Sequence, residues 1–330
     1  MDRIAVIGAG SWGTAVAALA SRQHPVRLWA RRPELAALIN SQSENPDYLP
    51  GYRLPYGLSA TSDLEEAVSG ADVVMIGVPS HGFGQVLSEI PLPNNVPLIS
   101  LTKGIEVDTL RRMTEVIAAV RPDHRRELIG VLTGPNLAAE VMAGNPTASV
   151  IAIPEAVTAD RVQSVFMGPT FRVYTNDDVI GCELAGSLKN VMAIAAGMSN
   201  GLGFGDNTRA ALITRALAEL TRLGVALGGA PATFAGLAGM GDLIATCTSA
   251  MSRNYRVGYG LAQGRSLDDI TGEMNMVAEG VKTTRAVLQL ANRAGVEMPI
   301  ADQVGRVLYE GHHPREAVLT LMSRGARSER

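Results

Sequence analysis

The apolar run Ile4–Ile7 passes directly into Gly8-Ala9-Gly10-Ser11-Trp12-Gly13, and Thr14 then opens an alanine-rich stretch typical of a helix. Three glycines at this spacing, set between a strand and a helix, make the turn that brings a dinucleotide pyrophosphate against backbone N–H groups and the positive end of a helix. Gly8 allows the tight turn, Gly10 lets the backbone approach the phosphates, and Gly13 lets the helix pack on the strand. Further runs follow at Val26–Trp29, Val73–Val78, Pro97–Leu101, Leu128–Leu132 and Ala148–Ile153. Most are continuous rather than alternating in polarity, as strands buried on both faces are, and their spacers are long enough for helical crossovers. The pattern predicts an α/β chain whose residues 1–180 form a Rossmann-type, doubly wound parallel sheet.

From Gly181 onward the periodicity becomes helical, which predicts an all-helical C-terminal domain over residues 181–330. Asp206 is expected to cap a helix with the apolar stripe Ile213, Leu217, Leu220 and Leu223, ended by Gly228–Gly229. Further helices are expected over Val281–Ala294 and Ile300–Tyr309, and the polar tail Ser323–Arg330 reads as a frayed end. Between Leu184 and Gly205 the only charge is Lys189, and the length would suffice for a membrane span. Ser187, Asn190, Ser199 and Asn200, with Gly197, Gly201, Gly203 and Gly205, argue instead for a buried helix running into a glycine-rich loop. No membrane span is expected.

Composition removes several function classes. With 29 Lys and Arg against 32 Asp and Glu, no basic surplus exists to neutralise a nucleic acid, and 5 Phe, 2 Trp and 7 Tyr are too few for stacking modules. Cys182 and Cys247 are the only cysteines, which excludes a disulfide scaffold and reads as two inert buried thiols. The run Ile4–Ile7 is shorter than the ~7–15 residue core of a signal peptide, so a cytoplasmic protein is expected. His312 and His313 are adjacent but have no companions at ligand spacing, and no metal is expected.

An NAD-preferring site places Asp or Glu at the end of the second strand to bind the ribose 2′-hydroxyl. Here that position reads Leu28-Trp29-Ala30-Arg31-Arg32-Pro33-Glu34, with two arginines able to pair with a 2′-phosphate. NADPH is therefore expected to serve at least as well as NADH. Two more loops follow strands at the carboxyl edge, Val78-Pro79-Ser80-His81 and Leu101-Thr102-Lys103-Gly104, and Lys103 can reach a phosphorylated substrate or the cofactor. In the second half Lys189 is isolated in an apolar helix, and lysine is almost never fully buried unpaired. Facing a cleft, it becomes a usable general acid or base. Asp242 can pair with it and orient it, while Arg253 and Asn254, at an expected helix start, suit a phosphate. Nothing in the spacing shows that these segments meet.

Taken together, Gly-Ala-Gly-Ser-Trp-Gly-Thr-Ala at 8–15, Gly-Val-Pro-Ser at 77–80, Thr-Lys-Gly-Ile-Glu at 102–106 and Gly-Pro-Asn-Leu-Ala at 134–138 resemble the bacterial NAD(P)-dependent glycerol-3-phosphate dehydrogenase family. So do Glu-Leu-Ala-Gly-Ser-Leu-Lys-Asn-Val at 183–191, Gly-Asp-Leu at 241–243, Thr-Cys-Thr-Ser at 246–249, Ser-Arg-Asn at 252–254 and Val-Ala-Glu-Gly-Val at 277–281. The resemblance implies reversible reduction of dihydroxyacetone phosphate to sn-glycerol 3-phosphate with NADP or NAD, by a homodimer supplying glycerophospholipid synthesis. It implies Lys189 as the proton acceptor in alcohol oxidation. Lys103, Gly134, Asn136, Asn190, Asp242, Ser252, Arg253 and Asn254 match substrate positions. Cofactor positions match at Ser11, Trp12, Arg32, Lys103, Ala138, Arg253, Val277 and Glu279, beside Gly8, Gly10, Gly13 and Arg31 from the loop reading. Many members carry Ser-Phe where this chain has Asn136-Leu137, and Asn can still hydrogen-bond a substrate oxygen. Two other readings are a β-hydroxyacid dehydrogenase and a nucleotide-sensing protein without catalysis. Neither requires the Ser252-Arg253-Asn254 segment.

Overall fold

The computed structural model describes residues 1–274 and 277–325, so the last five residues of the polar tail lie outside the described chain. Its first half runs β1 (Ile4–Ile7), α1 (Ser11–Ala20), β2 (Val26–Trp29), α2 (Pro33–Gln42), β3 (Glu44–Asn45), β4 (Leu49–Arg53), β5 (Leu58–Thr61), α3 (Leu64–Val68), β6 (Val73–Ile76) and α4 (Ser80–Glu89). Next come β7 (Leu98–Ser100), α5 (Met113–Val120), β8 (Ile129–Thr133), α6 (Ala138–Met142), β9 (Thr147–Ala152), α7 (Ala156–Phe166) and β10 (Phe171–Asn176). The described remainder is helical: α8 (Val179–Gly201), α9 (Asp206–Ala226), α10 (Pro231–Ala235), a π-helical turn at Leu237–Gly241, α11 (Asp242–Thr248), α12 (Arg253–Ala262) and α13 (Leu267–Gly272). It closes with α14 (Glu279–Ala294), α15 (Pro299–Tyr309) and α16 (Pro314–Met322).

One eight-stranded sheet has the order β10-β9-β8-β7-β6-β1-β2-β5. All six strands read from the sequence lie in it, with β5 and β10 added at its edges. Both faces of its centre are covered. Ile4 and Val6 pack with α1 residues such as Val16 and Ala17, whereas Ala5 and Ile7 pack with Phe83, Val86 and Ile117 of α4 and α5. The sequence predicts a wholly parallel sheet, but β9 runs antiparallel to β8 while pairing parallel with β10. The reason lies in the connection: α6 is short and packs on α1, so the chain does not cross back along the sheet and β9 begins where β8 ends. Strand order reverses at β1, which pairs with β2 on one side and β6 on the other. The carboxyl ends of β1 and β6 therefore form the switch-point crevice in which such sheets collect ligands.

Helix α8 is the axis of the second half. Every residue from Gly181 to Ser199 is buried. It is long and apolar enough to cross a membrane, yet 89% of its most apolar window is buried inside the protein. Glycine makes the tight packing on α12 possible: a Cβ on Gly258 would lie 1.9 Å from the Ile194 carbonyl oxygen, and one on Gly197 would lie 2.0 Å from that of Tyr255. The remaining helices surround it in one core that includes Leu188, Leu220, Leu223, Phe234, Val257 and Val304. Gly205, not Asp206, occupies the N-cap of α9, and Asp206 instead pairs with Arg209 at 3.0 Å one turn on.

Candidate active site

The glycine loop leaves β1 with Gly8 at φ +117, a conformation open to glycine, and a Cβ there would meet the Gly77 carbonyl oxygen at 2.6 Å. A Cβ on Gly13 would lie 2.0 Å from the Gly8 carbonyl oxygen, so α1 touches the loop at backbone distance. A Cβ on Gly10, by contrast, would meet no atom within 4 Å, and α1 has no side-chain cap. Trp12 holds its Nε1 buried without a partner. Open space over uncapped helix N–H groups, with an orphaned indole donor beside it, fits the pyrophosphate end of a nicotinamide dinucleotide.

On the other side of the crevice three chain segments converge. Lys103 stands in the loop after β7, Lys189 in the middle of α8, and Asp242 opens α11 directly after the π-helical turn. Asp242 is 2% exposed and Lys189 5%. One Asp242 carboxylate bridges both cations, Oδ1 at 2.9 Å from Lys189 Nζ and Oδ2 at 2.7 Å from Lys103 Nζ. Lys103 also donates to the Gly134 carbonyl at 2.8 Å, and Lys189 to Thr246 Oγ1 at 2.5 Å. Thr246 in turn donates to the Asp242 backbone carbonyl at 2.6 Å. Burial pushes the Lys103 ammonium down to about 8, Asp242 opposing the shift and Lys189 adding to it. Two ammonium groups facing one carboxylate leave a local positive excess inside a chain whose net charge is −3.

A polar ladder continues from this centre. Asn190 Nδ2 donates to the Lys103 carbonyl at 3.0 Å, Asn254 Nδ2 to Asn190 Oδ1 at 3.0 Å, and Gly280 N–H to Asn254 Oδ1 at 2.9 Å. Ser252 spends its Oγ on the α12 N-cap, accepting from Tyr255 N–H at 3.3 Å. Arg253, the first residue of α12, donates from Nη1 to the Val277 carbonyl at 2.6 Å. Burial lowers its pKa, although a guanidinium stays charged in any case. Glu279 closes the crevice from the helical side, accepting from Ser80 N–H at 3.1 Å and Ser80 Oγ at 2.7 Å.

The residues singled out from the sequence on this side and at the end of β2 thus fall into four groups. Lys103, Gly134, Lys189, Asn190, Asp242 and Asn254 form one hydrogen-bonded centre. Arg253, Val277 and Glu279 border it. Asn136 lies beside it but donates to Ser149 Oγ at 3.0 Å, leaving its buried Oδ1 unpartnered, and Ala138 opens α6. Arg31 is exposed just beyond the carboxyl end of β2, its Nη2 3.7 Å from where a Cβ on Gly82 of α4 would lie, and Arg32 beside it is ion-paired with Asp47. Three contributors were missed as site residues. Thr246 was legible, since it lies four residues beyond Asp242 and so on the same helix face. Ser80 lies in the carboxyl-edge loop read from the sequence but was given no role there, and Asp47 carries no local signal. Among the described residues no group of three His, Cys, Asp or Glu is placed to hold a metal ion.

A glycine loop at the switch point of a doubly wound sheet, facing a buried lysine centre completed by the helical C-terminal region, defines a dinucleotide-dependent oxidoreductase. Comparison with known proteins narrows the class. Residues 3–159 match the family described as NAD-dependent glycerol-3-phosphate dehydrogenase N-terminus, and residues 178–319 match its C-terminus. The chain is 56% identical over 304 residues to glycerol-3-phosphate dehydrogenase (NAD(P)+) 2 of Sphingopyxis alaskensis, covering 92% of this chain and 90% of the relative. It is 51% identical over 331 residues to the enzyme of Citrifermentans bemidjiense, covering 99% of each. The crystal structure of glycerol-3-phosphate dehydrogenase from Coxiella burnetii superposes with a TM-score of 0.91 at 39% identity, covering 98% of this chain and 99% of that one. The chain belongs to the NAD-dependent glycerol-3-phosphate dehydrogenase family.

Proposed function

We propose that the protein reversibly reduces dihydroxyacetone phosphate to sn-glycerol 3-phosphate with NADPH or NADH, supplying glycerophospholipid synthesis, and that Lys189 is its general acid and base. The observation that carries this reading is the carboxylate of Asp242 held between Lys103 and Lys189. An ammonium has three donors. Lys189 commits two of them, to Asp242 and Thr246, so its third N–H can point at a substrate oxygen. Lys103 likewise commits two, to Asp242 and the Gly134 carbonyl. A ketone placed here meets two directed donors in a site shielded from water, where such donors stabilise developing negative charge most strongly.

A reduced nicotinamide dinucleotide, which the glycine loop at Gly8, Gly10 and Gly13 would hold, would supply the hydride for the carbonyl carbon. As charge develops on the oxygen, Lys189 stabilises it and delivers the proton; in the reverse direction its neutral amine removes the alcohol proton. Asp242 fixes the position of both lysines and offsets part of their repulsion. Arg253, anchored by one nitrogen to Val277, has donors left for a phosphate, and Asn254 has one amide hydrogen beyond the one it gives Asn190. Phosphate held this way supplies orientation remote from the reacting carbon. The remaining cofactor contacts are assigned to Gly8, Gly10, Ser11, Trp12, Gly13, Arg31, Arg32, Ala138, Val277 and Glu279.

We place the boundary between the two domains at residue 180, after β10 ends at Asn176 and as α8 begins at Val179. A cytoplasmic homodimer completes the reading; both cysteines are free and buried, which suits a reducing compartment. The test is loss of reduced-nicotinamide absorbance with dihydroxyacetone phosphate and then with a panel of keto acids. Turnover of the phosphorylated ketone alone is the expected result. Turnover of a keto acid in its place would move the protein to the β-hydroxyacid dehydrogenases.

A further inference from the structure

We propose that Asp47 sets the balance between NADH and NADPH, supplying from the β3–β4 hairpin the ribose-directed carboxylate that the end of β2 lacks. The inference rests on the assignment of a nicotinamide dinucleotide to the glycine loop. In such sites the choice is made at the adenosine ribose, where a carboxylate accepts from the 2′-hydroxyl or a cation pairs with the 2′-phosphate. After Trp29 this chain offers Ala30, Arg31 and Arg32 before Pro33 begins α2, so sequence order alone provides only cations. The fold then adds what the order omits. Asp47 lies in the turn between β3 and β4, and its carboxylate is ion-paired with the Arg32 guanidinium at the start of α2.

The position of that carboxylate is fixed by its neighbours. Asn45, two residues away and 0% exposed, donates from Nδ2 to the Ala9 carbonyl at 2.9 Å and to Thr14 Oγ1 at 2.8 Å. Its Oδ1 accepts from Tyr48 N–H at 3.3 Å, and Tyr48 packs on the core beneath the sheet. One asparagine therefore ties the turn carrying Asp47 to the glycine loop and the first turn of α1. Across the turn, Glu44 Oε1 accepts from Gly51 N–H at 2.8 Å. The hairpin is thus registered on the cofactor loop, and Asp47 has a defined place at the adenosine end.

Two consequences follow for binding. A 2′-phosphate must displace Asp47 from Arg32 and then lie beside a carboxylate of like charge. A 2′-hydroxyl meets an acceptor already in place, with Arg32 holding it. The pair tilts the site toward NADH relative to what two free arginines would give. Because both side chains are partly solvent-exposed, at 54% and 39%, the tilt is modest and screened by salt.

The test compares 5′-AMP with 2′,5′-ADP, which differ only in the 2′-phosphate, by calorimetric titration of the wild-type protein and of Asp47→Asn and Asp47→Glu. For Asp47→Asn the affinity ratio should move toward 2′,5′-ADP by about three- to tenfold at low ionic strength, and by less at high salt. Asp47→Glu, which keeps the charge, should stay near the wild-type ratio. The ratio of kcat/KM for NADPH over NADH should shift in the same direction. An unchanged ratio, or equal weakening of both nucleotides, would overturn the proposal, the latter by showing that Asp47 only supports the hairpin. The titration needs no turnover, so a failure to reduce dihydroxyacetone phosphate would defeat the substrate reading and leave this one standing. Failure of the wild type to bind either nucleotide would defeat this one.

Discussion

The two halves of the crevice recognise their ligands by different means. On the sheet side the glycine loop presents backbone: its shape is set by Gly8 and Gly13, and its ligand-facing surface is the uncapped end of α1. Opposite it the site is made of side chains, Lys103 from the loop after β7 with Lys189 and Asp242 from the helical half, taken out of water and held by one another. Backbone recognition requires few particular side chains and is encoded within a few consecutive residues. A buried ionic centre requires specific side chains from distant segments, and each of them is costly to hold without the others. Binding and chemistry should therefore be separable by mutation, and the lysine centre should be the part that couples function to stability.

Lys189→Met probes that separation with the largest expected effect. The methylene stem is kept and the donor is lost, so kcat for dihydroxyacetone phosphate should fall by roughly 10²–10⁴-fold, the range of a general acid–base contribution. Cofactor affinity, measured by fluorescence titration, should change little because Lys189 lies in α8 and not in the glycine loop. Equal losses in turnover and in cofactor affinity would show that the two halves act as one unit and would break the contrast.

Coupling to stability is read from Lys103. Its pKa is lowered to about 8 in the folded protein from 10.5, so between those values the unfolded chain binds more protons than the folded one. Stability then rises with pH through this window, as the penalty of holding a buried ammonium is relieved. Denaturant unfolding of the wild type at the two ends of the window should differ from that of Lys103→Met by an amount on the order of 1–3 kcal/mol, the wild type gaining more. Parallel curves for the two proteins would show that the centre tolerates a charged Lys103 at no cost.

The same contrast governs what was legible in the sequence. The central strands are buried on both faces and so read as continuous apolar runs, and the glycine loop is a contiguous signature. The edge strands β5 and β10 were not legible, because Leu58–Thr61 and Phe171–Asn176 mix exposed and buried positions. Nor was the antiparallel turn of β9, since periodicity reports burial and not direction. Lys189 stood out because a lone charge in an apolar helix demands a partner, and Asp242 was the partner suggested. That Lys103 would join them across 139 residues left no trace in spacing, nor did the contact between Asp47 and Arg32. Family resemblance supplied the grouping of these positions, and the structure supplies the geometry that joins several of them.

The sheet half is tested most narrowly at Gly10, where the smallest effect is expected. Its backbone is extended, with φ −71 and ψ 175, which alanine adopts without strain. A Cβ there would meet nothing within 4 Å, so Gly10→Ala introduces no clash in the free protein. Its stability should stay within ~0.5 kcal/mol of wild type or rise slightly, since alanine has fewer unfolded conformations to lose. The added methyl projects where the pyrophosphate must approach the loop. Cofactor affinity should fall about tenfold, the equivalent of one displaced hydrogen bond to a charged group. By contrast Gly13→Ala would place a carbon 2.0 Å from the Gly8 carbonyl oxygen and should lower stability and cofactor affinity together. If Gly10→Ala instead destabilises the fold while leaving cofactor affinity intact, the loop is a structural turn, and recognition on the sheet side would then lie elsewhere.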